Sequence, residues 1–489
     1  MTKNLKTSGY PEPKAKDDSL TIASYLSAQI QNLDKWSDET IKNSFIGNLL
    51  NSVNNFLNQL QRKAKSQLYI NSMLLISIML LFVSLSLPYF ANDRFGIGIL
   101  IIFCFFIFIL NIVFNKPVSL NFNSIDLLLL IFLLISTIST ASSYFFKESF
   151  IGLLKYFVFF LCYIILKVTV LNSSKKIFFN LSGGLFLCSV ITAAIGIYQY
   201  VIGVEPLANW EDPGVENIHT RVYSTVGNPN LLAGYLLLIL PVGITLPFEM
   251  KSNLFYKIFF LIGSFLILLC LIFTGSRGGY VGLITGTIFS IIIFLFYLIN
   301  RRDTANRTST TIIFLIITTI VLLALIFLFP ILRERMLTIF TFREHSSNNY
   351  RINVWLSCLK MFKDNWFIGI GPGNSTFRLA YGLYMVSGFD ALAAYNIFLE
   401  LALEVGILGC LTFIFIFLIS FIKLHCLFWQ KGKILALGIF ISLISLLTQG
   451  FVDTVLFRPQ VFVPFWFLLA SIDTLGVDNF RNTKEKIRN

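Results

Sequence analysis

Long stretches almost free of charge are the feature that most limits what this chain can become. Leu68–Phe90 and Thr311–Leu332 each approach the ~20 apolar residues that cross a bilayer as one helix. Similar stretches recur along most of the 489 residues. Only 13% of the chain is charged and 56% is hydrophobic, against about 25% charged residues in a soluble domain, so too few charges exist to cover a water-facing surface. The pattern is that of a polytopic membrane protein and excludes a soluble enzyme, a nucleic-acid-binding domain and a secreted disulfide scaffold. The seven cysteines agree: Cys104, Cys162, Cys188, Cys270 and Cys410 fall inside apolar stretches, Cys426 at the edge of one, and only Cys358 in a long polar loop. None are spaced as metal ligands, so they read as small core residues, with no metal or cofactor expected.

The expected fold is all-α. Apolar stretches at 68–90, 95–114, 125–145, 149–171, 177–202, 230–248, 254–274, 279–299, 311–332, 397–422, 433–452 and 457–475 give about 12 transmembrane helices. Lys and Arg gather on one set of flanks, including Arg62, Lys63, Lys116, Lys167, Lys251, Arg301, Lys423 and Lys431, whereas the short connections on the other side carry only Arg94, Lys147, Arg277 and Arg458. Positive residues stay in the cytoplasm, which puts both termini there and makes the lipid bilayer the first partner. Residues 1–36 read as a disordered cytoplasmic tail. Residues 37–67 read as an interfacial amphipathic helix starting at Ser37, with Ile41, Phe45, Leu49, Val53, Phe56 and Leu60 on one face. Spans one to five then occupy 68–202, the later spans 203–475 and a second cytoplasmic tail 476–489. Two outside segments are long, 203–229 and 333–396, and the second is expected to form a helical outer (periplasmic) cap, with a helix around Ile352–Phe367.

Polar residues that interrupt an apolar pattern mark function in a membrane protein, and here they gather at the outer ends of the later spans. Arg277 lies in Thr274-Gly-Ser-Arg-Gly-Gly279, a turn whose glycines permit close backbone approach to an anion. Arg221 opens a segment that ends in Asn228-Pro229, a helix cap followed by a natural first helical residue, so a helix N-terminus points outward. Glu400 and Glu404 are four residues apart and share a helix face near Asn396; arginines are their available partners. Asp453 and Arg458 bracket the last outer turn, and pairing between them is the plain structural alternative. Gly369-Ile-Gly-Pro-Gly-Asn374 lacks a preceding strand and a following Lys-Ser/Thr, so it reads as a bend returning the loop to the membrane rather than a nucleotide site. Arg221, Arg277, Arg458, Asn228, Asn396, Glu400, Glu404 and Asp453 form the candidate anion or substrate site.

Taken as a set, these motifs resemble the O-antigen ligase (Wzy-type) superfamily of integral membrane proteins over about residues 190–475. Arg221–Tyr235, Asp390–Tyr395 and Asp453–Pro459 are most similar to its IctB-type members, associated with bicarbonate transport in cyanobacteria. That resemblance implies inorganic-carbon transport through an outward-facing, arginine-lined anion site. The ligases of the superfamily imply a different activity, transfer of a glycan from a polyprenyl-pyrophosphate carrier to an acceptor hydroxyl, with arginines on the pyrophosphate and a catalytic histidine. Asn396 and Gly406–Gly409 match the ligase motif, but Tyr395 stands at the histidine position, and a tyrosine with pKa near ~10 is a poor base. His219 and His345 would substitute only if folding brought them near. A non-catalytic assembly factor keeping the same fold is the third reading. All three imply a bacterial plasma (inner) membrane location and no nucleic-acid partner.

Overall fold

A computed structural model describes residues 18–45, 47–48, 52, 69–87, 96–114, 122–207, 221–300 and 347–476. The described residues form fourteen α-helices: α1 (Asp18–Asn43), α2 (Tyr69–Leu85), α3 (Gly96–Phe114), α4 (Ser124–Ala141), α5 (Phe146–Asn172), α6 (Lys175–Ile202), α7 (Pro229–Glu249), α8 (Leu254–Phe273), α9 (Arg277–Asn300), α10 (Ser347–Asn365), α11 (Asn374–Tyr381), α12 (Ile397–Lys431), α13 (Ile434–Gly450) and α14 (Pro459–Gly476). Six of them (α4 to α8 and α12) are long and apolar enough to cross a membrane, and four shorter apolar helices accompany them. The chain is a helical integral membrane protein. The expected span at 311–332 lies outside the described residues, as do His219 and His345, so the count of twelve stays an expectation. The closely spaced stretches 433–452 and 457–475 are two separate helices, α13 and α14, joined by a corner with a short 3-10 turn at Val455–Phe457.

Helix α7 occupies the centre. Leu231 to Leu240 are all buried, on every side of the helix, which is the signature of a helix surrounded by protein rather than lipid. It packs against α13, α8, α14, α6 and α9. Small residues bring α9 close: an added Cβ on Gly286 would meet Ser445 Oγ at 2.1 Å, and on Gly282 the Ser445 carbonyl oxygen at 2.6 Å. Outer helices turn large apolar side chains outward, such as Phe103, Ile138, Phe259 and Phe265, as lipid contact requires.

The N-terminal region departs from expectation. Helix α1 begins at Asp18, so residues 18–36 are helical rather than a disordered tail, and Ser37 is a buried interior residue rather than a helix cap. The chain bends at Ser44, and 53–68 lie outside the described residues. Helix α1 packs on α12 and α4, and Asp34 is the reason. Its carboxylate accepts from the Ser124 amide at 3.0 Å and the Ser124 hydroxyl at 2.6 Å, and it pairs with Lys423 at 3.0 Å. Lys423 also reaches Asp473 at 3.6 Å, and Asp473 pairs with Lys167 at 3.1 Å. Lys167 is bonded in turn to Asp126, which accepts from the Tyr163 hydroxyl at 2.9 Å. Lys167 and Lys423 are therefore not exposed flanking charges, as the sequence pattern suggested. They are buried lysines made tolerable by aspartates from α1, α4 and α14.

Removing one member of such a network leaves a buried charge uncompensated, at a cost of ~3–5 kcal/mol. Asp473→Ala, which strips a partner from both lysines, is expected to lower the thermal unfolding midpoint of the purified protein sharply. Asp34→Ala, at the more exposed edge of the network, is expected to lower it less. Equal midpoints for wild type and Asp473→Ala would remove this network as a stabilising element.

Candidate functional site

The corner between α13 and α14 is where the candidate residues meet. Asn396 caps α12 by accepting from the Phe398 and Leu399 amides, both at 3.0 Å, and its amide nitrogen donates to the Phe451 carbonyl at 3.0 Å. The fully buried Gln449 donates to the Asn230 carbonyl at 2.8 Å. Val455 lies against Gly234 of α7, and Val452 against Gly278 of α9. These contacts bring the N-termini of α7, α9, α12 and α14 to one end of the bundle, around Phe451–Arg458. Each contributes about half a positive charge from its macrodipole. Arg277 is the first residue of α9, partly exposed, and the exposed Arg458 immediately precedes α14. Asn228 caps α7, accepting from Asn230 and Leu231. Since Asn228 and Asn396 occupy the amides they cap, those two termini act on an anion through their field rather than by direct amide bonds.

Two parts of the predicted site are built differently. Arg221 is buried, and its guanidinium donates to the Thr274 carbonyl at 3.0 Å and the Asn230 side chain at 2.6 Å, tying its loop to the Thr274 turn. In that turn the Ser276 amide donates to Thr274 Oγ1 and the Gly279 amide to Ser276 Oγ, both at 3.2 Å. Gly278 and Gly279 serve close helix packing, against Val452 and Ala233. The Gly275, Ser276 and Gly279 amides of the expected cradle around Arg277 are thus taken up within the turn. No ion pair joins Asp453 to Arg458 among the described residues; the Asp453 carboxylate accepts from the adjacent Thr454 amide at 2.8 Å.

The two glutamates have separate surroundings. Glu400 accepts from the Ala394 amide at 3.0 Å, is hydrogen-bonded to the Thr454 hydroxyl and lies within electrostatic reach of Arg458. Glu404 pairs with no arginine among the described residues: it accepts from the Tyr156 hydroxyl of α5 at 2.5 Å and from the Gly373 amide. Two residues further on, α12 is broken. Gly406 sits at φ 71°, ψ 179°, far from helical geometry, and the segment 366–373 lies across the break. Ile370 donates to the Leu403 carbonyl at 2.8 Å and Gly371 to the Glu404 carbonyl at 3.0 Å, while Ile407 donates to the Trp366 carbonyl at 2.9 Å. Gly369-Ile-Gly-Pro-Gly373 is therefore more than a bend: it supplies the hydrogen bonds that the break leaves open. Ser139 and Ser143 of the α4 end fix the same junction by donating to Glu404 O and Ile370 O.

Tyr395 precedes the cap with φ 51°, an uncommon conformation for a bulky residue and often one held in place at a functional site. Its ring stands 5.9 Å from the Arg351 guanidinium carbon and 5.9 Å from the Tyr350 ring. Tyr350 donates to the Asp390 carbonyl and Trp355 to the Ala394 carbonyl at 2.9 Å, so α10 holds the approach to α12 in place. Burial, the neighbouring Tyr350 and the charge of Asp453 push the Tyr395 phenol well above its ordinary pKa, with Arg351 opposing. Arg351 and Tyr350 are site residues that the sequence reading missed. Their only signal was membership of the helix expected near Ile352–Phe367, since an arginine on a polar helix carries no mark of its partner.

Residues 262–414 match the O-antigen ligase family. No curated protein matches the chain. The matched stretch includes Arg277, Arg351, Tyr395, Glu400, Glu404 and Gly406, whereas Arg221, Asn228, Asp453 and Arg458 lie outside it. It supports the O-antigen ligase superfamily read from the motifs and gives no support to the IctB-type closeness or to bicarbonate.

A side chain at Gly406 would place its Cβ 2.0 Å from the Phe367 carbonyl oxygen and would add a left-handed strain of ~1–2 kcal/mol. Gly406→Ala is expected to destabilise the protein more than Gly388→Ala, which carries a similar positive-φ strain at φ 87° but whose Cβ meets nothing within 4 Å; thermal unfolding of the two variants isolates the clash with Phe367. For Tyr395, a folded-state pKa above the unfolded ~10 means the native state holds its proton more tightly. Its contribution to stability is full below pH ~10 and is lost as pH rises through the folded pKa. Ultraviolet titration should show no tyrosinate attributable to Tyr395 at pH ~10, tested by subtracting the Tyr395→Phe spectrum.

Proposed function

We propose that the protein is a membrane glycan ligase or polymerase that moves a glycan from a polyprenyl-pyrophosphate donor to an acceptor hydroxyl. The observation that carries this reading is the gathering of four helix N-termini with Arg277 and Arg458 around one corner, beside Arg351 and Tyr395. A pyrophosphate leaving group gains negative charge as its bond to the sugar breaks, and fixed positive charge and helix dipoles stabilise that state most when they are preorganised. The family match over 262–414 favours the same chemistry. The positive-inside bias places this end of the bundle outside the plasma (inner) membrane, with both termini in the cytoplasm and the 347–396 helices as a cap.

In the reaction the acceptor oxygen forms a bond to the anomeric carbon, the bond from that carbon to the pyrophosphate oxygen breaks, and the polyprenyl pyrophosphate leaves with the electron pair. The hydroxyl proton goes to a carboxylate, and Asp453, within electrostatic reach of Tyr395, is the candidate we assign to that role. Tyr395 remains a neutral phenol and acts as a positioning hydrogen-bond group, not as a base. Arg221, held by Thr274 and Asn230, shapes the loop rather than meeting the donor.

The test is glycan transfer by purified protein in proteoliposomes supplied with a polyprenyl-pyrophosphate-linked oligosaccharide. Arg277→Ala and Arg458→Ala are each expected to lower transfer by ~100-fold or more, with unchanged thermal midpoints. Transfer that survives both substitutions would remove the arginine site. Absence of transfer together with uptake of radiolabelled bicarbonate above empty liposomes would overturn the reading in favour of transport.

A further inference from the structure

The sequence assigns 333–396 to a helical outer cap, and part of it is set against a membrane span. Trp366, Phe367 and Ile368 are 54%, 51% and 37% exposed, and their backbone is held at the break in α12: Ile407 donates to Trp366 O at 2.9 Å, and Phe367 O abuts Gly406. The next residues of that span, Leu408 and Leu411, are also exposed, so the apolar side chains of 366–368 adjoin the lipid-facing side of α12. Depth follows from the helix. Lys423, eight residues before the helix ends at Lys431, is the first charged residue of the span after Glu404 and is held among aspartates. A rise of ~1.5 Å per residue places the other edge of a ~30 Å hydrocarbon core near Leu403, some 20 residues away. Gly406 then lies within ~5 Å of that edge on the membrane side, and Trp366 and Phe367 fall at the level where aromatic rings concentrate in membrane proteins. The two rings pack edge to face, their centroids 5.3 Å apart.

We infer that Trp366–Ile368 is a lipid-contacting surface that dips into the leaflet on the site side of the membrane, its rings at the boundary between headgroups and acyl chains. The partner of this surface is the bilayer itself. Non-helical backbone is tolerated at that depth because the break in α12 supplies its hydrogen-bond partners. Since the same segment bridges the two halves of α12, contact with lipid fixes the depth of Ile397–Val405, which carries Glu400 and is capped by Asn396. This inference does not depend on the reaction proposed above.

The test uses full-length protein in lipid nanodiscs, where both faces are open to reagent. The seven native cysteines are all buried, so one added thiol reports its own surroundings. Phe367→Cys is expected to react with a charged, membrane-impermeant maleimide at least ~10-fold more slowly than Leu383→Cys, because the reactive thiolate requires water. Leu383 is 76% exposed in the same 347–396 segment; Leu411→Cys gives the lipid reference. Equal rates at 367 and 383 would overturn the inference. A second measurement avoids the cysteine variants: nanodiscs of phosphatidylcholine brominated near the headgroup should quench the fluorescence of the wild type more than that of Trp366→Phe. Identical quenching of the two would likewise overturn it.

Discussion

Backbone groups within a bilayer have no water to bind, so a break in a spanning helix survives only where other protein groups take over its hydrogen bonds. In this chain α12 breaks at Gly406, and the segment Trp366–Gly373 takes over, giving amides to Leu403 and Glu404 and a carbonyl to Ile407. The organisation of the site end depends on that exchange. It binds the α10–α11 region to the span, and it gives Leu403 to the second small core formed with Val354, Cys358, Met361 and Phe377. It also sets the short helical piece Ile397–Val405, and with it Asn396 and Glu400, apart from the rest of α12. Side chains of Ser139, Ser143 and Tyr156 reinforce the junction from α4 and α5.

The two ends of the bundle handle charge in opposite ways. At the far end, Lys167 and Lys423 are matched by Asp126, Asp473 and Asp34 in a network buried except at its Asp34 edge, and its consequence is structural: α1 is docked and α4, α5, α12 and α14 are joined. At the site end Arg277 is only partly buried and Arg458 is exposed, and both stand beside helix N-termini that add positive potential. Burial of charge in a matched network fixes shape, whereas positive charge collected at a partly exposed corner attracts an anion. That contrast is the physical basis for placing substrate at the corner and not at the lysine network.

How much of this was legible in the sequence differs by residue. Asn228 was readable as a cap because capping is local, and it does cap α7; Asn396, noted in the sequence only for its place in the ligase motif, caps α12 in the same way. The helix near Ile352–Phe367 was also local and is α10. Arg221 was readable as unusual but not as a loop-holding residue, since its partners Thr274 and Asn230 come from two different elements. Lys167 and Lys423 looked like flanking charges because their aspartate partners lie on other helices. Ser37-Asp38-Glu39 resembled a helix start, yet tertiary docking through Asp34 extends the helix back to Asp18. Gly406 was noticed for its spacing, but nothing local reveals that Phe367 would lie where its side chain should be.

The sequence by itself determined that this is a helical membrane protein, where most spans run, and that arginines, acids and asparagines cluster at the ends of the later spans. These follow from hydropathy and capping, which act within a turn or two of helix. Only the tertiary structure decided where each polar group sits: Arg221 is held by Thr274 and Asn230, Glu404 by Tyr156, while Arg277, Arg458 and Arg351 with Tyr395 gather near the corner at Phe451–Arg458. The reason is that hydrogen bonds and ion pairs join residues far apart in the chain, and their partners exist only once the helices have packed.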